Sequence, residues 1–320
     1  MIHLIQINKR MEDICSGILL VDKQEGETSF DVEKDRKASG VRKVGHTGTL
    51  DPFATGLLVV LLGEGTKLSP YLMAGEKHYR GTIRLGIETD TLDPTGRVVK
   101  TSPVPPLKHG FIKACALHFT GEIEQTPPSF SALKYQGKRA YALARTGIPV
   151  ILEKRKVQID RLEIESIDLP EVTIVVTCSG GTYLRSLAAD LGERLGPGAH
   201  LKSLRRLSSG SFTVDHAVSS RDLESERPRE RVQEAVIPLR EALPQMEEIQ
   251  IDASLASRIR AGHQPKEEEL AGALSRSPLH ETFFKLVHGN DLVAITRISS
   301  DLKTGKCQLE IQRVFTRSNP

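Results

Sequence analysis

Residues 45 to 56 read Gly45-His46-Thr47-Gly48-Thr49-Leu50-Asp51-Pro52-Phe53-Ala54-Thr55-Gly56, three glycines around a single carboxylate. Glycine takes left-handed or crowded backbone conformations without steric cost, so such a loop can press closely on a ligand. A carboxylate there can attack an electrophilic carbon or move a proton. Standing alone, Asp51-Pro52 reads as a helix cap or a turn. The apolar run Leu57-Leu58-Val59-Val60-Leu61-Leu62 follows at once, which suits a buried strand bounded by turn residues.

Two further side chains fit the same chemistry. Tyr79, in Lys77-His78-Tyr79-Arg80, opens an extended stretch to Gly86 and offers a π-face for stacking and a hydroxyl able to relay a proton. A tyrosine in that position is otherwise ordinary strand filler. Arg185, in Gly181-Thr182-Tyr183-Leu184-Arg185-Ser186-Leu187, can hold a carboxylate through two parallel hydrogen bonds and favour its charged form. Without that partner it is a surface residue on an amphipathic helix.

The net charge of +3 does not imply nucleic acid, but its distribution says more. Lys134, Lys138, Arg139, Arg145, Lys154, Arg155 and Lys156 stand against Glu153 alone, with Tyr135 and Tyr141 among them. Such a patch is either a solvated face or a place to neutralise several phosphates. Glu267-Glu268-Glu269 puts acidic charge elsewhere. Cys15, Cys115, Cys178 and Cys307 are widely spaced, with no CxxC pair. That argues against a zinc site or a disulfide framework and for free thiols in a reduced, cytoplasmic protein. No apolar stretch is long enough to cross a membrane, and the first ten residues lack signal-peptide features.

These residues need elements to position them. The patterns predict strands over 17–22, 57–62, 79–86, 157–167 (with irregular alternation) and 172–177, and a helix over 31–39. A short helix over 66–74 is interrupted by Pro70. A helix with apolar face Leu184, Leu187, Ala188, Leu191 and Leu195 is weakened at Gly192 and ends at Gly196-Pro197-Gly198. Residues 219–236 are dense in charge and read as surface helix and loop. A strand and short helix within 249–264 and strands over 283–287, 292–298 and 308–314 form a small β-rich module. Without regular βαβ alternation the expected class is α+β, with a mixed, largely antiparallel sheet flanked by helices. The boundary falls near residue 244, giving a catalytic domain over 1–243 and a module over 244–320.

The 45–56 string resembles the signature loop of the TruB family of pseudouridine synthases, in which the aspartate is catalytic. Four other segments between 17 and 207 resemble the same family. Gly17-Ile18-Leu19-Leu20-Val21-Asp22-Lys23, followed by Gly26, Thr28 and Ser29, is similar to its opening motif, with Gln24 where proline is usual. The segments around Tyr79 and Arg185, and Gly198-Ala199-His200-Leu201 with Leu204-Arg205-Arg206-Leu207, complete the match.

The resemblance implies a pseudouridine synthase fold that isomerises uridine 55 in the T loop of tRNA, breaking C1′–N1, rotating the base and rejoining it through C5. Asp51 would start cleavage, Tyr79 would stack on the uracil and assist proton transfer, and Arg185 would hold Asp51 ionised. Tyr183 would line the substrate site, Leu204 would close the pocket, and His46 would help fill the space left by the flipped nucleotides. An insertion over about 124–150, with Lys134, Lys138 and Arg139, would grip the T arm, and a PUA-like C-terminal domain would add RNA contacts. No cofactor, metal or protein partner is implied, and a monomer is expected. Asp90 and Asp93 read as structural turn residues. The rivals are a guide-RNA-dependent synthase, an N-glycoside hydrolase using Asp90 or Asp93 as second acid, and a non-catalytic tRNA chaperone.

Overall fold

The computed structural model describes residues 16–38, 41, 43–131, 133–135, 137–146, 150, 152–224, 228–270, 282–300 and 307–316. Cys15 and the first ten residues lie outside that set.

In chain order, β1 (Gly17–Lys23) leads to α1 (Ser29–Ala38), and β2 (Val44–Thr47) and β3 (Thr55–Leu62) flank the Asp51 loop. A 3-10 turn and the short α2 (Ser69–Met73) precede β4 (Lys77–Leu85), the hairpin of β5 (Ile87–Thr89) and β6 (Val98–Thr101), α3 (His109–Leu117) and β7 (Gly121–Gln125). The insertion holds β8 (Lys134–Tyr135), β9 (Lys138–Arg139) and α4 (Ala140–Arg145). Then come β10 (Arg155–Asp168), β11 (Glu171–Cys178), α5 (Leu184–Leu195), β12 (Ala199–Ser209), β13 (Phe212–Thr213) and β14 (Val218–Ser219). After them follow α6 (Pro228–Ala235), β15 (Ile237–Pro238), β16 (Glu248–Gln250), α7 (Ala253–Arg260), α8 (Glu267–Leu270), β17 (Thr282–His288), β18 (Asp291–Ser300) and β19 (Cys307–Val314).

Among the described residues, eleven strands form one sheet with the main order β14-β1-β3-β12-β4-β11-β10-β7. Its pairings are antiparallel except β1–β14 and β3–β12, so the sheet is mixed and largely antiparallel, as expected. Residues 18–21 of β1 and 57–62 of β3 are all apolar because both faces are covered. Ile18, Leu20, Leu57, Val59 and Leu61 pack toward Val287, Leu292, Ile295 and Phe315 of the C-terminal sheet. Leu19, Val21, Leu58, Val60 and Leu62 face Val32 of α1 and Val232 of α6. β4 instead alternates, its inward residues packing with α3 and α5. A second sheet, β16-β17-β18-β19, follows.

Local departures from the sequence reading have physical reasons. Pro70 does not interrupt a helix; it sits in the first turn of α2, where its missing N–H costs nothing. The irregular alternation of β10 comes from register shifts between Ile159 and Arg161 and between Ile164 and Ser166, each of which turns the strand. Gly192 is a contact rather than a weak point, since a Cβ there would lie 2.3 Å from the Ala199 Cβ where α5 crosses β12. The polar α1 starts on a reciprocal cap, with the Asp31 N–H donating to Thr28 Oγ1 and the Thr28 N–H donating to Asp31 Oδ2. Gln24, in place of proline, donates its N–H to Glu27 Oε2 at 3.1 Å and its side-chain amide to the Asp22 carbonyl at 3.0 Å. The turn is thus held by hydrogen bonds instead of a fixed φ. Cys115 and Cys178 are free and buried. No helix among the described residues is long and apolar enough to cross a membrane.

Candidate active site

Asp51 sits in a turn between β2 and β3, closed by the Ala54 N–H on the Asp51 carbonyl at 3.0 Å. No helix starts there, so the cap reading fails. The opening motif braces this turn. Ser29 Oγ accepts from the Leu50 N–H at 2.9 Å and donates to the Leu50 carbonyl at 3.2 Å. The Pro52 carbonyl accepts from the Gly26 N–H at 2.8 Å and from Lys23 Nζ at 3.4 Å. Lys23 Nζ also donates to the carbonyls of Gln24 and Glu27. Burial pulls the Lys23 ammonium down to about 8, against the attraction of Glu27 and Asp51.

Arg185, in the first turn of α5, points its fork at this carboxylate. Nε lies 2.9 Å from Asp51 Oδ2, and Nη2 donates to Asp51 Oδ1 at 3.1 Å, the bidentate arrangement expected of arginine. The same guanidinium reaches Asp93 Oδ2 at 3.2 Å, the Thr91 carbonyl at 2.9 Å and the Phe130 carbonyl at 3.0 Å. Asp93 is buried and takes hydrogen bonds from Thr91 Oγ1, Thr95 Oγ1 and the Thr95 N–H. It forms the predicted turn, and it also shares Arg185 with Asp51, which its turn motif did not indicate.

The Asp51 side chain is 35% exposed on its open side and otherwise enclosed. Desolvation raises its carboxyl above the ordinary value, and Asp93 adds to that. Arg185, by charge and hydrogen bond, and Lys23 oppose it. The expectation was that Arg185 holds Asp51 ionised, and its charge and hydrogen bond act in that direction against the burial. Arg185 offsets the burial of a carboxyl that still titrates high.

Tyr79 is buried on β4 and shares a cluster with Leu50, Phe53 and Leu204. Burial raises its phenol, opposed by Arg206. Leu204 of β12 lies opposite Gly81, two residues along the same face from Tyr79. Two of the loop glycines, Gly48 and Gly56, pack closely on Arg206. Gly56, at φ +98°, lies so close to β12 that a Cβ would sit 2.3 Å from the Arg206 carbonyl oxygen.

Tyr183 adjoins Arg185 in the chain, and His46 contacts the Asp51 loop through Thr49. Tyr183 precedes α5, its N–H donating to Gln125 Oε1 at 3.1 Å, and burial raises its phenol. His46 on β2 is turned to Glu33 through Nδ1 and to Thr49 Oγ1 through Nε2 at 3.0 Å. Lys134, Lys138 and Arg139 stand on the β8–β9 hairpin, with Lys134 opposite Arg139 and Tyr135 opposite Lys138. The root of the insertion touches α5 through the Phe130–Arg185 bond and through Ser186 Oγ, which donates to the Thr126 carbonyl at 2.7 Å. Gln136 and Ala132 of the insertion fall outside the described residues.

Sequence reasoning missed Asp93, Lys23, Ser29 and Arg206 as site components. Lys23, Ser29 and Arg206 lay inside quoted motifs, which was the available signal, whereas Asp93 was read as a structural turn residue.

The chain matches the family model for the TruB family pseudouridylate synthase N-terminal domain over residues 36–184. It matches that for the tRNA pseudouridylate synthase B C-terminal domain over residues 185–249. It is 42% identical over 305 residues to a tRNA pseudouridine synthase B of Geobacter sulfurreducens, covering 93% of this chain and 99% of that protein. Identity to the tRNA pseudouridine synthase B of Clostridium tetani is 40%, over 80% of this chain and 87% of that one. A solved chain from a Cbf5-Nop10-Gar1 complex shares the fold at a TM-score of 0.69 and 23% identity, over 98% of this chain and 88% of that chain. With the signature aspartate held by its arginine fork and relatives aligned along nearly the whole length, the chain belongs to the TruB family of pseudouridylate synthases.

Proposed function

We propose that this chain, an isomerase that forms pseudouridine in tRNA, acts on uridine 55 of the T loop with Asp51, Arg185 and Tyr79 as its reacting centre. The observation that carries this reading is the two-bond contact of Arg185 with Asp51, on a loop that shares a buried cluster with Tyr79. The target base lies in a folded loop and must be flipped out, at a cost of roughly a few kcal/mol. Asp51 initiates cleavage of C1′–N1. The uracil rotates while stacked on Tyr79 and beneath Leu204, rejoins through C5 and loses the C5 proton. Isomerisation involves no net oxidation, so the reaction's stoichiometry calls for no redox cofactor.

His46 supports the space the flipped nucleotides leave, and Tyr183 lines the approach. The β8–β9 hairpin supplies Lys134, Lys138 and Arg139 to the T arm. The hydrogen bond between the insertion's Phe130 carbonyl and Arg185 supports a grip beside the reacting centre. The β16–β19 sheet, assigned with residues 244–320 to a small PUA-like C-terminal domain, adds phosphate contacts. The enzyme acts as a cytoplasmic monomer.

Mapping pseudouridine by carbodiimide and primer extension on an unmodified tRNA transcript tests the assignment. One new stop at position 55, without guide RNA, is expected. No stop, or a stop only when guide RNA is added, overturns it. Release of free uracil would favour a hydrolase.

The hairpin carries a separate expectation. Lys134→Glu with Lys138→Glu should weaken tRNA binding by about tenfold or more at moderate salt and reduce the slope of log K against log salt by about two. Filter binding across a salt series measures both, and an unchanged slope removes the hairpin from the interface.

A further inference from the structure

Arg206 stands at the meeting of three strands. On β12 it lies opposite Tyr79 of β4 and opposite Gly56 of β3. It is 1% exposed and heads the largest fully buried side chains among the described residues. Its Nε donates to the Leu57 carbonyl at 2.6 Å and its Nη2 to the Gly48 carbonyl at 2.9 Å. One guanidinium thereby spans both ends of the loop that carries Asp51.

Carbonyls satisfy donors without neutralising charge. Arg205, the next residue along, pairs with Asp22 at 2.8 Å, whereas no carboxylate among the described residues pairs with Arg206. An unpaired buried cation is costly, and such groups concentrate where the charge is used.

The surroundings of Tyr79 indicate the use. Its phenol is influenced by Arg206 from β12, Cys178 from β11 and Asp51 from the loop, while Lys77 on β4 is influenced by Arg206 and Cys178. The Cys178 thiol, pushed by burial up to about 11, is neutral at ordinary pH. Asp51 disfavours an anionic phenol. Burial draws Lys77 down to about 8, and its Nζ is engaged by the Met73 and Gly75 carbonyls. Arg206, opposite Tyr79 across the ladder, is the permanent positive charge that opposes the burial raising its phenol.

We propose that Arg206 is a positioning residue of the reaction, fixing the Asp51 loop against β4 and stabilising the Tyr79 phenolate that accepts the C5 proton. The inference rests on the role given to Tyr79 above. Once C5 has bonded to C1′, it carries both that bond and a hydrogen, and N1 is doubly bonded to C6. The phenolate takes the proton from C5, and the C5–H electron pair becomes the C5=C6 bond. The C6=N1 π pair then takes a proton from solvent at N1, giving neutral pseudouridine and a phenol. The phenol returns its proton to solvent, so no proton or electron is gained or lost overall.

The test is single-turnover kinetics across pH, using tRNA transcripts with protium or deuterium at uridine C5. Arg206→Gln should lose about 100-fold or more at neutral pH, recover as pH rises, show a larger C5 isotope effect than wild type, and bind tRNA unchanged. Arg206→Lys keeps a charge that burial can titrate, so its rate should fall as pH rises through the alkaline range. The two variants thus have opposite slopes, which loosened packing alone does not produce. If Arg206→Gln does not fold, as judged by circular dichroism, the falling limb of Arg206→Lys decides. A uniform loss with the wild-type profile and isotope effect, or a wild-type rate, overturns the proposal. Full activity in Tyr79→Phe would instead remove the reading of Tyr79 on which it stands.

Discussion

Asp51→Asn should abolish pseudouridine formation, lowering single-turnover rate by roughly four orders of magnitude or more, the scale on which an essential reacting group is lost. tRNA binding should persist, because the backbone that shapes the loop does not depend on this carboxylate. The Asp51 carbonyl still closes the turn with Ala54, and Ser29 still holds Leu50 from both sides. Modification at the wild-type rate would refute the assignment, and so would parallel loss of binding and turnover.

The wild-type enzyme should also lose rate in acid. Asp51 must be ionised to react, and burial raises its carboxyl above the ordinary value. Activity should be full well above that raised value and fall as pH drops through it, at higher pH than for an exposed aspartate. The stability sign is opposite. A folded-state carboxyl that holds its proton more tightly than the unfolded chain costs stability as pH rises from the ordinary carboxylate value through the raised one. Asp51→Asn should therefore melt no lower than wild type at neutral pH, and a marked drop would show that the carboxylate stabilises the fold.

Arg185→Lys should lose most of its turnover, on the order of 100-fold or more, although it keeps the charge. The guanidinium meets Asp51 twice, Asp93 once and two carbonyls. An ammonium is a compact charge with three donors and cannot reproduce that planar set. Arg185→Met tests the packing side. Arg185 and Asp93 are both nearly fully buried, so removing one partner strands the other charge and should cost about 3–5 kcal/mol in urea unfolding. A near-normal single-turnover rate for Arg185→Lys would show that charge suffices and the fork does not matter.

Much of the scaffold was legible because the signals are local. The runs at 18–21 and 57–62 are apolar throughout because β1 and β3 are covered on both faces. The α5 stripe from Leu184 to Leu195 marks a helix lying on the sheet. Strands of the last module were placed within a few residues of β17, β18 and β19. Pro70 and Gly192 were misread by the same local logic. A proline's effect depends on whether it falls in the first turn of a helix, and a helical glycine's effect depends on what crosses it.

The sequence by itself determined the family and the loop that presents Asp51, since these lie in contiguous motifs, and the resemblance those motifs carry implied the arginine facing it. Only the tertiary structure decided that Asp93 shares that arginine and that Arg206 is buried beside Tyr79. Those relations depend on which strands become neighbours and in what register. β12 runs antiparallel to β4 and parallel to β3, bringing Arg206 against Tyr79 and both ends of the Asp51 loop. Periodicity tells which face of a strand is buried; the partner across the ladder is fixed by packing of the whole sheet.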